Sequence, residues 1–290
     1  MYGAPKEVAL KTESTAEQLY FTTVYLHGVK IGGLQFTATG FFYKVLTEQG
    51  DVDFLITNRH VLQDCTTLIL KMIKGGSGDK PILGESLSVT INDFESSPWV
   101  GHPNPDVDIA VFPANLYLGP MAQAGSQMFY KTISPKIVLT DDEAENLDAI
   151  ESIIFVGYPE GIFDAKHHLP LVRRGITASP LSVDFNGIPS FAIDAGVYQG
   201  SSGSPVIILD QGWIVDRLGN TSFGNRFKLV GVISENFQRE SMGVVQTETA
   251  TQYAKYKEAI GLGIAVKAKC IDECVDLFLK NVGSIRLENP

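Results

Sequence analysis

The segment Tyr198-Gln-Gly-Ser-Ser-Gly-Ser-Pro-Val206 sets two glycines around a serine pair directly ahead of an apolar strand. A nucleophilic serine needs its hydroxyl on a tight turn, with bare backbone N–H groups facing the oxygen on which charge develops. Glycine supplies both the unusual dihedrals and the close approach. Gly200, Ser202 and Gly203 meet that need, and they would equally suit an ordinary Ser/Gly surface turn. What separates the two readings is whether the rest of the chain supplies a base and an acid.

All five histidines, His27, His60, His102, His167 and His168, precede Ser202. An α/β-hydrolase carries Ser, acid and His in that order and a Gly two residues after the serine, where this chain has Ser204, so that class is excluded. A subtilisin-like order of Asp, His, Ser survives counting, but it needs alternating helices that this sequence lacks. His60 closes Phe54-Leu-Ile-Thr-Asn-Arg-His-Val61, an apolar strand that turns polar just before it. On its own a histidine at a strand end is more often structural. His102, in a proline-rich loop, and the adjacent pair His167 and His168 are read as chemically silent. Asp108 opens the apolar run Asp108-Ile-Ala-Val-Phe112, which would carry it inward, where an unpaired carboxylate is costly. A histidine N–H satisfies that carboxylate and fixes the imidazole tautomer that base catalysis requires. Asp106, on the same strand face, is the competing acid.

Outward from these segments, short runs rich in Val, Ile, Phe, Thr and Tyr recur: 19–26, 35–45, 52–57, 87–91, 109–112, 153–156, 205–209 and 229–234. Turn clusters separate them, among them Gly75-Gly-Ser-Gly-Asp79, Pro103-Asn-Pro105 and Asn186-Gly187, which is the rhythm of a mainly β protein. Helix signal is confined to the polar start and to 266–281, where Cys270, Ile271, Cys274, Val275 and Phe278 recur at three- and four-residue spacing. A passage between two halves is expected near 120–135, with 113–135 poor in strand signal and 141–148 the most charged stretch. The 290 residues allow one large domain or two moderate ones. A net charge of −10, from 23 basic and 33 acidic residues, disfavours nucleic acid as a partner. No run reaches the ~18 apolar residues of a membrane helix, and the first twenty residues lack a secretory apolar core. Three cysteines do not make a disulfide framework, so a cytoplasmic setting is expected.

Ile56-Thr-Asn-Arg-His-Val61, Asp108-Ile-Ala-Val111 and Gly200-Ser-Ser-Gly-Ser-Pro205, in that order, resemble the three signatures of the chymotrypsin-like (trypsin-fold) serine proteases, most of all the bacterial trypsin-like peptidases related to the HtrA/Deg group. Phe155-Val-Gly-Tyr-Pro-Glu-Gly161, Asp194-Ala-Gly-Val-Tyr-Gln-Gly200 and Gly261-Leu-Gly-Ile-Ala-Val266 extend the resemblance over about residues 20–267. It implies two six-stranded Greek-key β-barrels, 18–120 carrying His60 and Asp108 and 136–266 carrying Ser202, followed by a C-terminal helix and tail at 267–290. It further implies an oxyanion hole from the N–H groups of Gly200 and Ser202, and a role for Ser234 in bonding the triad aspartate. The sequence departs from the family at three places. Ser201 stands where zymogen-type members have an Asp, so activation by N-terminal cleavage is not implied; Ser204 replaces a Gly; and Val61 stands where secreted members have a paired cysteine.

By position, the pocket for the residue before the cut bond (P1) is lined by Gly196, Val197, Ser234, Glu235, Asn236, Gly263 and Ile264. Gly196 offers no floor carboxylate, so small to medium aliphatic residues are expected there. Arg173-Arg174 is read as an exposed pair at a strand edge, and Cys270 with Cys274 as a half-buried core pair and not half a zinc site. Neither metal nor cofactor is expected; the partners expected are a polypeptide substrate and, as an open matter, a regulatory protein. The rival to a serine endopeptidase is a catalytically silent trypsin-fold protein that binds a peptide or partner.

Overall fold

In the computed structural model, which describes residues 10–246 and 251–287, alternating burial organises the chain into two sheets. The first comprises β1 (Thr23–Lys30), β2 (Gln35–Thr47), β3 (Gly50–Thr57), β4 (Cys65–Gly75), β5 (Pro81–Asn92), β6 (Val100–Gly101), β7 (Ala110–Pro113) and β8 (Met128–Phe129). Its order is β5-β4-β1-β2-β3-β7-β6, with β8 beside β4. Six of these strands are substantial, while β6 and β8 are two-residue additions. The second comprises β9 (Ser152–Gly157), β10 (Leu171–Thr177), β11 (Ser190–Asp194), β12 (Pro205–Val215), β13 (Thr221–Gln246) and β14 (Thr251–Lys267). It closes as a six-stranded barrel in the order β10-β11-β14-β13-β12-β9.

Each sheet wraps its own apolar interior. Leu26, Phe42, Leu55, Leu68 and Phe112 fill the first, and Phe155, Phe191, Val206, Ile208 and Ile233 the second. A third cluster joins the two, bringing Phe41, Phe54 and Val111 against Ile207, Leu229 and Val266. The helix expected at the C-terminal side completes that cluster. It runs over Lys269–Asn281, starting later than expected because β14 holds the chain to Lys267, and it buries Cys270, Ile271, Cys274, Val275, Phe278 and Leu279. The two cysteines are therefore fully buried. The Tyr43 hydroxyl donates to Asp272 at 2.8 Å and pins this helix to β2.

Among the described residues four further α-helices are short. Thr15–Leu19 and Asp141–Asn146 both open on capping boxes, Ser14 with Glu17 and Thr140 with Glu143. Asp141, Asp142 and Glu143 occupy the first turn of the latter, where the helix dipole favours negative charge, which accounts for the charged stretch seen in the sequence. Arg59–Leu62 follows β3, and Asn115–Gln123 follows β7 with Pro120 inside it. The glycine-rich stretch after β4 is a hairpin turn, closed by the Gly76 N–H on the Lys80 carbonyl. Among the described residues no helix is long and apolar enough to cross a membrane.

Candidate active site

β3 ends at Thr57, and Asn58 starts the single helical turn that carries His60 out of the sheet. Across from it, Asp108 lies two residues before β7, and the Asn58 side-chain amide grips its main-chain carbonyl at 2.7 Å. The carboxylate then meets His60 twice. The His60 backbone N–H donates to Oδ1 at 3.0 Å, and the ring Nδ1 lies 2.6 Å from Oδ2. The Ser234 hydroxyl, from β13, donates to the same Oδ2 at 2.7 Å. Burial alone would raise the Asp108 carboxyl, but the bonds from His60 and Ser234 outweigh it and hold the group below the ordinary carboxylate range. Asp106 is exposed on the cleft wall and, among the described residues, makes no hydrogen bond or ion pair to His60, so Asp108 is the residue that the fold pairs with the imidazole.

Ser202 sits on the turn between β11 and β12, flanked by Gly200 at φ +85° and Gly203 at φ +87°. Both dihedrals fall in the left-handed region, and both glycines are also tight against neighbours. A Cβ on Gly200 would stand 2.5 Å from the Tyr158 carbonyl oxygen, and one on Gly203 would overlap the Thr39 carbonyl. The Gln199 carbonyl accepts from the Glu160 N–H at 2.6 Å, and in a trans peptide this aims the Gly200 N–H the opposite way. Among the described residues the N–H groups of Gly200 and Ser202 have no intramolecular acceptor. The Ser202 hydroxyl donates to the main-chain carbonyl of Ser234 at 3.2 Å.

Thr39, in the middle of β2, was not singled out by sequence reasoning, yet it ties the serine turn to the first sheet. Its N–H donates to the Ser202 carbonyl at 2.9 Å. Its hydroxyl donates to the Gly200 carbonyl at 2.9 Å and accepts from the Tyr158 N–H at 3.1 Å. No local motif marks such a residue, because its partners lie more than a hundred positions away.

His60, Asp108 and Ser202 share a cleft of about 810 Å³ with Val197, Tyr198, Ser234, Glu235 and Asn236. Of the expected pocket residues, Gly196 and Gly263 lie just behind this wall. A Cβ on Gly263 would meet the Val197 side chain at 2.5 Å, and one on Gly196 would meet the Arg173 guanidinium at 2.7 Å. Arg173 corrects the sequence reading in its exposure: Arg174 is exposed but Arg173 is half-buried, while at both positions β10 pairs with β9 alone, its pairing with β11 being confined to Ile176 and Thr177.

The remaining histidines lie elsewhere. His167 pairs with Asp164 at 2.7 Å, and His102 is buried with Nε2 3.0 Å from Glu273. His102, Cys270 and Glu273 bring one possible ligand atom each within 4.8 Å. Both imidazole nitrogens are already engaged, since the Asn104 N–H donates to Nδ1 at 3.1 Å. Burial pushes the Cys270 thiol up to about 12, which disfavours the thiolate that would bind a metal. The trio is explained as an internal hydrogen-bonded contact.

A family model described as a trypsin-like peptidase domain matches residues 38–215, more than half of the chain. No curated protein matches the sequence. Among solved structures the chain is similar to the Rv3671c protease from M. tuberculosis in its active form, at 15% identity over 94% of this chain and 86% of that one, with a TM-score of 0.45. It is similar also to the protease Anisep from Arthrobacter nicotinovorans, at 14% identity over 89% and 94%, TM-score 0.46. A third is the scabies mite inactivated protease paralogue S-I1, at 13% identity over 91% and 97%, TM-score 0.43.

Proposed function

The chain belongs to the trypsin-like peptidase family of serine proteases, and from that premise we propose that it is an endopeptidase whose triad is His60, Asp108 and Ser202. In this reading residues 18–120 supply the base and acid, and residues 136–266 the nucleophile. The observation that carries it is the Asp108 Oδ2, shared by His60 Nδ1 at 2.6 Å and the Ser234 hydroxyl at 2.7 Å at the edge of the cleft that Ser202 lines. Ser202 Oγ turns from the Ser234 carbonyl toward His60 Nε2 and gives up its proton as it attacks the scissile carbonyl. Asp108 holds Nδ1–H and offsets the charge of the imidazolium. The oxyanion collects the N–H groups of Gly200 and Ser202. His60 then protonates the leaving amine, and the acyl group on Ser202 is released by water through the same steps in reverse roles.

Val197 supports a P1 side chain of short to medium aliphatic reach; the group at the tip of that side chain depends on the residue at the floor. The three cysteines, buried and unpaired, support a reducing, cytoplasmic compartment. One observation favours the silent alternative, namely that the Ser202 hydroxyl donates to Ser234 and not to His60 in this state. A fluorophosphonate probe decides between them. Labelling at Ser202 that is lost in Ser202→Ala and strongly reduced in His60→Ala upholds the peptidase; labelling at Ser201 or Ser204, or none, overturns the assignment.

A further inference from the structure

Among the described residues Arg173 is the charged side chain nearest to Gly196, the position that the family's register makes the P1 floor, and it has no counter-ion. On β10 it stands opposite Phe155 of β9, so the two side chains share the inner face of the barrel. Its guanidinium carbon lies 5.1 Å from the Phe155 ring centroid and 4.8 Å from that of Tyr198. Among the described residues it makes no ion pair, and Nη1 is buried without a hydrogen-bond partner. A guanidinium held this way is stabilised by two ring faces but lacks the planar acceptor that its donors fit. Burial also pulls it down from its ordinary value.

The place of this cation matters. Gly196 is six residues before Ser202, the floor position by the family's register, and Arg173 Nη2 fills the space that a Gly196 side chain would take. The aliphatic expectation took the floor to be neutral because Gly196 brings no charge; the charge arrives instead from another strand. Tyr198 links the floor to the cleft, since it lines the cleft, is 46% exposed, and lays its ring on the guanidinium. Turning that one side chain gives an entering group access to Arg173.

We propose that Arg173 is the P1 specificity determinant and that the preferred substrates carry glutamate or aspartate just before the cut bond. The proposal rests on the peptidase reading of the cleft. The methylenes of the substrate side chain lie along Val197, consistent with the apolar wall, and its carboxylate receives two parallel N–H bonds from the guanidinium. A site built around a buried donor rejects the isostere that cannot answer its charge.

The test uses peptides identical except for Glu, Gln, Val or Arg at P1. The expected result is a kcat/KM about 10- to 100-fold higher for Glu than for Gln, the range of a charge-assisted hydrogen bond. Arg173→Gln removes that ratio, and Arg173→Lys, which keeps the charge without the planar fork, restores part of it. Equal cleavage after Glu, Gln and Val, dominant cleavage after Arg, or a ratio that survives Arg173→Gln overturns the proposal. A second measurement needs no chemistry: Ser202→Ala binds the Glu peptide more tightly than the Gln peptide by calorimetry, and adding Arg173→Gln abolishes the difference. Equal binding defeats the role of Arg173 even where the probe labels Ser202. Absent labelling with a persistent Glu-over-Gln binding contrast defeats the peptidase reading and leaves the acid-binding site standing.

Discussion

Thr39→Val is nearly isosteric and removes one hydroxyl from a fully buried position, so its cost can be worked from two bonds. The Gly200 carbonyl loses a donor at 2.9 Å, and the Tyr158 N–H loses an acceptor at 3.1 Å. A buried backbone group left without a partner costs roughly 1–3 kcal/mol, so the pair should cost about 2–6 kcal/mol. That is a large share of the ~5–15 kcal/mol net stability of an ordinary domain. The bond from the Thr39 N–H to the Ser202 carbonyl is untouched, so the turn stays attached while Gly200 gains freedom about its C=O. The Glu160 bond to Gln199 still aims the Gly200 N–H. The catalytic loss should therefore be about 10-fold in kcat, below the ~10²–10³ seen when an oxyanion donor is deleted outright. Urea unfolding reads the first effect, and steady-state kinetics on one good peptide substrate reads the second, with KM little changed. A variant whose urea midpoint and kcat both match the parent would show that the Thr39 hydroxyl holds nothing, and the account of how the two sheets share the serine turn would fail.

Asp108 is held below its ordinary value in the folded protein, so its bonds stabilise the fold above the unfolded carboxyl value of ~3.9 and lose that contribution as pH falls through the lower folded one. The stability gap between the parent and Asp108→Asn, measured by urea titration at a series of pH values, should be constant near neutrality and close in acid; a gap that widens in acid contradicts the assignment. Ser234→Ala removes one of the two side-chain donors on Oδ2 and should move that closing point upward in pH. Gly203→Ala forces a left-handed φ on alanine and drives its Cβ into the Thr39 carbonyl, so it should destabilise by more than about 4 kcal/mol or give no folded protein. Burial pushes the Cys65 thiol up to about 11 and that of Cys270 to about 12, and Cys274 is raised as well. A thiol reagent at neutral pH should accordingly modify the native chain slowly and all three cysteines rapidly in urea; fast native labelling would mean that these sites open readily.

The residues legible in the sequence were those with local punctuation. Gly200 and Gly203 mark a special turn around Ser202, and Asp108 stands out because a carboxylate opens an apolar strand. What escaped was set by distant contacts. The Arg173 side chain faces the barrel interior, yet in a seven-residue strand holding two adjacent arginines the pattern reads as solvent-facing. β13 was visible only at 229–234, because beyond the barrel its outer part meets solvent widely and is held by pairing with β12 and β14, which leaves little apolar alternation to read. Asn115–Gln123 lacks an apolar stripe and contains Gly119 and Pro120, so nothing in its period announced a helix.

The C-terminal helix Lys269–Asn281 also has a bearing on when the molecule becomes competent. Its six buried side chains belong to the cluster that joins the two sheets, and burying them is worth on the order of 10 kcal/mol, as much as a whole domain's net stability. During synthesis this helix leaves the ribosome after both sheets. Without it the joining cluster lacks the side chains of Cys270, Ile271, Cys274, Val275, Phe278 and Leu279. Docking of the helix is thus the step that completes the cluster between the sheet of His60 and Asp108 and the sheet of Ser202.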